Sequence, residues 1–141
     1  MRVHEATTVI DASADQVWDV LVDGAGWSTW DSGVTAVDGR IALGEKVSIH
    51  TAASPGRAFP VTVSTLDRPY RLVLRGGMPL GLFRGERTYT LAPDGQGATT
   101  FAMREEFTGP LLGLIGRSIP DLQPSFTQFA QGLKQRVETG R

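Results

Sequence analysis

The sequence predicts an α+β fold: a seven-stranded antiparallel sheet closed on one face by a single long helix at its C-terminal end. Three observations carry this. Between residues 34 and 107, apolar and polar residues alternate in short runs, the period of half-buried strands. The connections between runs are short, so neighbouring strands pair antiparallel as a meander. Finally, Leu122, Phe126, Phe129, Leu133 and Val137 step by four, three, four and four, which places them on one face of a helix. A sheet covered by one helix can leave a cavity between the two, and that cavity is the functional feature the sequence offers.

Each element has its own local signal. Val3–Ile10 alternates and is rich in Thr and Val, a strand. Ser13-Ala14-Asp15-Gln16 is a capping box, in which the Ser hydroxyl and the Gln amide satisfy each other's backbone N–H groups. The helix it opens carries Val17, Trp18, Leu21 and Val22 on one face and stops at Asp23-Gly24. Gly26–Asp31 is a short second helix or turn bearing Trp27 and Trp30 on one side. Thus two short helices separate the first strand from the second. The remaining strands are expected at Val34–Asp38, Glu45–Ala52, Phe59–Asp67, Tyr70–Arg75, Phe83–Ala92 and Ala98–Phe107. Asp38-Gly39, Pro55-Gly56, Arg68-Pro69, Gly76-Gly77 and Pro93-Asp94-Gly95 punctuate them as turns. Gly109-Pro110 begins a helix that Gly113 and Gly116 weaken. Asp121 caps the last helix, with Pro124 tolerated in its first turn.

Composition narrows the class. With 141 residues the chain reads as one domain, residues 1–141, able to bury a core. Hydrophobic content of 40% and charged content of 21% are those of a globular protein. The net charge is −1 and no basic block exists, which argues against a nucleic-acid interface. Absence of cysteine excludes disulfides, thiolate chemistry and Cys-based zinc sites, and fits a reducing compartment. The polar start Met1-Arg2-Val3-His4-Glu5 has no signal-peptide core. The apolar cluster Leu111–Ile115 is far below the roughly 20 residues that span a bilayer. A cytoplasmic protein with no stable membrane insertion is expected.

The order of elements, together with the segment from Ile10-Asp11-Ala12-Ser13 to Val17-Trp18-Asp19-Val20-Leu21, the run Trp27-Ser28-Thr29-Trp30-Asp31 and the run Glu106-Phe107-Thr108-Gly109-Pro110-Leu111, resembles the helix-grip, or START-like (SRPBCC), superfamily. That superfamily includes plant pathogenesis-related allergens, lipid-transfer START domains and polyketide cyclases. The resemblance is strongest to small bacterial members of the polyketide cyclase/dehydrase or lipid-transport kind and covers nearly the whole chain. It implies a sheet curled around the terminal helix with an apolar cavity between them. It leaves function open, because this fold hosts both binders and enzymes.

On the sixth strand the reading turns Arg87, Tyr89 and Leu91 inward, and on the seventh Phe101, Met103, Glu105 and Phe107. A hairpin at Asp94-Gly95-Gln96 sets Arg87 opposite Met103, leaving Arg87 and Glu105 as diagonal neighbours. Paired inside an apolar cavity, they would anchor a ligand's carboxylate, hydroxyl or carbonyl. If the strand twists, both sit solvated at the rim. Further ligand-binding candidates are Leu72, Leu74, Phe126, Phe129 and Leu122, with one of Trp27 and Trp30 in the core and the other at the mouth. Two glycine-rich apolar segments, around Met78 and Phe83 and around Leu112 and Ile115, read as lids over a hydrophobic ligand. A homodimer interface or transient membrane docking are their other uses.

No catalytic signature stands out. His50 shares a strand face with Lys46 and Ser48, the surface side, and His4 could face either way. The chain holds two histidines and no metal-binding motif, so no metal or cofactor is expected. Gly116-Arg117-Ser118 lacks the second glycine of a nucleophile elbow. The expected function is binding, and transport, of a hydrophobic small molecule such as a lipid, isoprenoid or polyketide. The alternative is a polyketide cyclase/dehydrase-type enzyme, with Arg87 polarising a carbonyl and Glu105 or Tyr89 moving the proton. A co-chaperone-like interaction module is the third class.

Overall fold

Ser13 opens the first helix as its sequence requires. Its hydroxyl accepts from the Gln16 N–H at 3.2 Å, and the Gln16 side chain accepts from the Ser13 N–H at 3.0 Å. In the computed structural model, which describes residues 2–118 and 121–140, strand β1 (Arg2–Ile10) leads into this helix, α1 (Ala14–Leu21). A 3-10 helix, Gly24–Thr29, follows. Asp23, expected only to stop α1, also caps this second element by accepting from the Gly26 N–H.

The meander is β2 (Val34–Asp38), β3 (Lys46–Thr51), β4 (Ala58–Asp67), β5 (Arg71–Gly77), β6 (Arg84–Pro93) and β7 (Thr99–Thr108). β1 closes on β7, so the seven strands stand in the order β1-β7-β6-β5-β4-β3-β2, all antiparallel. Helix α2 (Leu112–Ile115) is a single turn, and α3 (Gln123–Thr139) is the long covering helix. The chain thus has the α+β helix-grip architecture, a curled antiparallel sheet holding a C-terminal helix.

Several boundaries differ from the expectation, each for a local reason. Pro110 precedes α2 rather than starting it, because the Leu111 N–H is committed to the Leu82 carbonyl at 3.0 Å. Leu122, not Asp121, occupies the cap position of α3, yet the Asp121 carboxylate still accepts from the Gln123 N–H at 3.1 Å. The β6–β7 register is shifted by two residues: Arg87 faces Glu105 directly, Tyr89 faces Met103 and Leu91 faces Phe101. Asp94 causes the shift, since its carboxylate accepts from both Gln96 and Ala98 N–H groups and closes a longer loop than the expected one. A two-residue shift preserves faces, so the inward set stands. Finally, Gly76 and Gly77 belong to β5 and pair with Gly85 and Arg84, where the sequence suggested a turn.

The core lies under the middle of α3. Phe129 meets Trp27 and Trp30 edge-to-face at ring separations of 5.0 and 5.1 Å, an arrangement worth about 0.5–1.5 kcal/mol per pair beyond the area buried. Trp27 donates to the Leu21 carbonyl at 2.9 Å, and the Ser32 hydroxyl to the Trp27 carbonyl at 2.6 Å, so these two buried side-chain donors are satisfied. Both tryptophans are therefore core, and neither stands at the mouth.

Gly132 sets how closely α3 can approach. A Cβ there would lie 1.9 Å from the Asp31 carbonyl oxygen, a backbone atom that cannot swing aside. Gly132→Ala is therefore expected to destabilise the protein by about 1–3 kcal/mol, the range for overpacking. Gly113→Ala, in open space on α2, should leave stability unchanged or raise it by up to about 1 kcal/mol. Urea unfolding of the two variants checks the contrast.

Candidate functional site

The cavity begins where side chains run out. Across the sheet, the row Leu72–Tyr89–Met103 is buried under α3. The next row is Leu74–Arg87–Glu105, continued by His4 on β1. One step further, Gly76 stands directly opposite Gly85, so two adjacent strands present no side chain at all. Above this bare floor, the N-terminal half of α3 supplies Leu122, Ser125, Phe126 and Phe129 as a roof. Ile49, Thr51, Phe59 and Val61 of β3 and β4 form one wall. Phe83 and Phe107, stacked with ring planes 16° apart, form another with Ile115. The cavity is open at one side and has a volume of about 430 Å³, within the size range of small-molecule sites.

Arg87 and Glu105 meet inside this space and not at a solvated rim. Glu105 Oε2 accepts from both Arg87 Nε at 3.1 Å and Nη2 at 2.6 Å. The two side chains are 26% and 12% exposed, and what they are exposed to includes the cavity they line. The Arg87 guanidinium also lies 4.8 Å from the centre of the Phe126 ring, a cation–π contact that ties the sheet to α3. Burial disfavours the guanidinium charge, but Glu105 and then Tyr89 outweigh it, and Arg87 stays charged with its pKa raised. Charge pairs in apolar surroundings persist only when paired this way.

The remaining candidates divide. Leu74, Phe83, Met103, Ile115, Leu122, Phe126 and Phe129 line the cavity with Arg87 and Glu105. Trp27, Trp30, Leu72, Tyr89 and Phe101 lie behind the wall in the core. Met78 points outward, and Leu112 lines only a shallow depression with Arg2, Gly113, Gly116 and Arg117. The two apolar segments do touch, through the Leu111 N–H and the Leu82 carbonyl, but Leu80 is 97% exposed at a φ of 63°. His50 bonds Asp38 at 2.9 Å on the outer face. His4 turns inward against Phe107 and Phe126. Among the described residues no cluster of His, Asp and Glu could hold a metal, and no helix is long and apolar enough to cross a membrane.

Sequence reasoning missed the glycine floor, the wall from β3 and β4, and the rim residues Arg57, Asp121 and Gln128. Alternation already turned Ile49 and Thr51 inward. The floor had no comparable signal, because glycine pairs read as turns.

The chain matches, over residues 1–138, the family described as polyketide cyclase/dehydrase and lipid transport. It belongs to that family. Solved structures agree on the fold. A START superfamily protein from Mycobacterium smegmatis is 14% identical with a TM-score of 0.68, covering 99% of each chain. Norcoclaurine synthase from Thalictrum flavum is 14% identical with a TM-score of 0.68, covering 99% of this chain and 95% of that one. DynU16, from the dynemicin biosynthetic locus, is 19% identical with a TM-score of 0.72, covering 99% of this chain and 48% of its own. The family member described here therefore spans about half the length of DynU16. No curated protein sequence matches it.

Tyr89 supplies a test of the buried layer. Its hydroxyl is buried with no hydrogen-bond partner among the described residues. Burial raises the phenol pKa above 10.0, with Arg87 opposing the rise. The unfolded chain then releases this proton first, so the contribution to stability is full below pH 10 and is lost as pH rises beyond it. Tyr89→Phe should keep or increase stability at neutral pH, because it removes an unsatisfied hydroxyl. It should also lose less stability than wild type between neutral pH and pH about 11. Urea unfolding at the two pH values measures both.

Proposed function

We propose that the protein binds a hydrophobic small molecule, a lipid or polyketide, in the cavity between the sheet and α3 and carries it. The observation behind this reading is the bare Gly76–Gly85 floor beneath an apolar roof, with one part-buried ion pair at its inner end. Packed cores close to near-crystalline density, so a space of about 430 Å³ beside a charged pair is more than packing needs. The family's description, which includes lipid transport, supports the same reading. A cytoplasmic location is part of this proposal, and a chain with no cysteine is compatible with it.

Native mass spectrometry of protein purified from its own host tests this. A reproducible extra mass that leaves on denaturation is expected. Gly85→Val should abolish it: a Cβ at Gly85 comes within 3.2 Å of the Phe107 ring and 3.3 Å of Glu105 Oε1, and the valine methyls reach further into the space. The variant's thermal unfolding confirms that it still folds. An extra mass that survives Gly85→Val places the ligand elsewhere.

A second reading, a cyclase or dehydrase, is favoured by the same ion pair. Arg87 would polarise a substrate carbonyl and Glu105 would move the proton. Tyr89 sits in the buried row behind Arg87 and would act through Arg87 rather than on the substrate.

A further inference from the structure

The ion pair is used unevenly. Both Arg87 bonds fall on Glu105 Oε2, and Glu105 Oε1 has no hydrogen-bond partner among the described residues. This second oxygen faces the bare floor, 3.3 Å from where a Gly85 Cβ would stand. The inner end of the cavity therefore presents an open carboxylate acceptor beside a guanidinium whose charge is already neutralised.

We propose, building on the cavity-binding reading, that this end recognises a neutral hydroxyl and rejects a carboxylate. An alcohol or phenol donates its O–H to Glu105 Oε1 and brings no charge into the apolar space. A ligand carboxylate has no proton to donate at neutral pH. It must approach within a few ångströms of Glu105, where two like charges in poorly solvated surroundings repel strongly. Arg87 offsets this only in part, because Glu105 already takes its Nε and one Nη2 N–H and shares its charge. The other charged or titratable groups facing the site are Arg57, Asp121 and His4, which stands opposite Glu105 on β1. Asp121 is an exposed carboxylate 3.7 Å from His4 Nδ1, and the Arg57 guanidinium packs over Phe59 on β4; neither meets Glu105 Oε1, which stays an open acceptor. The ligand class is thus hydroxylated hydrophobic molecules, with free fatty acids and other carboxylates excluded by charge.

Calorimetric titration of the full chain at neutral pH with two matched pairs, 2-naphthol against 2-naphthoate and 1-decanol against decanoate, tests the proposal. The alcohol or phenol of a pair is expected to bind at least about tenfold more tightly than its carboxylate, a margin of about 1.4 kcal/mol. Glu105→Gln leaves Arg87 without its counter-charge and should invert the order. Should that variant unfold, the double variant Arg87→Met, Glu105→Leu removes both charges at once, a replacement buried pairs usually tolerate. It should bind both members of a pair within about threefold of each other, a gap of less than the 1.4 kcal/mol that makes a factor of ten. Equal affinities in the wild type, or a preference for the carboxylate, overturn the proposal while leaving the binding cavity intact. If all four probes fail to bind, the cavity-binding reading falls and this inference with it.

Discussion

The architecture depends on how closely α3 approaches the rest of the protein at one point. At Gly132 the helix backbone touches the Asp31 carbonyl, and one turn earlier Phe129 wedges between Trp27 and Trp30. The contact leaves no room for adjustment, so the middle of α3 is fixed. Further along, Lys134 donates to the Val9 carbonyl, and Glu138 accepts from the Asp11 N–H. The N-terminal half of the helix spans the sheet, tied to β1 where Gln123 donates to the Glu5 carbonyl and to β6 where Phe126 meets Arg87. Beneath it the sheet falls away to glycine, and the cavity is the gap that remains.

Polarity is placed within that gap with similar economy. One cross-strand pair, Arg87 and Glu105, carries the charge, and the face of Phe126 covers the guanidinium. The same residue that roofs the cavity thus holds the guanidinium in place. Truncating one partner would leave an uncompensated charge in apolar surroundings, a larger penalty than the pair's own net worth. The pair's net worth to the fold is therefore small beside the cost of breaking it.

Much of this was legible in the sequence, and the misses share a cause. Alternation identified every strand and the inward face of β6 and β7, because a register error of two residues leaves faces unchanged. The capping box at Ser13 and Gln16 formed as written. What could not be read was which residues meet. Asp94 shifts the hairpin and converts a diagonal Arg87–Glu105 relation into a direct one. Gly76 and Gly85 gain meaning only once β5 and β6 are paired. Trp27 and Trp30 were split between core and mouth, whereas Phe129 draws both inward. Pairing is a property of two segments, and a single strand's pattern does not contain it.

Two methionines report directly on where a ligand goes. Met103 lines the cavity and is buried, while Met78 stands 43% exposed on the outer loop. Carbon-13 methyl spectra recorded during titration with a hydrophobic extract of the host would follow both. Interior binding predicts that the Met103 methyl resonance shifts and saturates while Met78 stays in place. A shift confined to Met78 would contradict the account, because it would put the ligand on the exposed loop and leave the cavity empty.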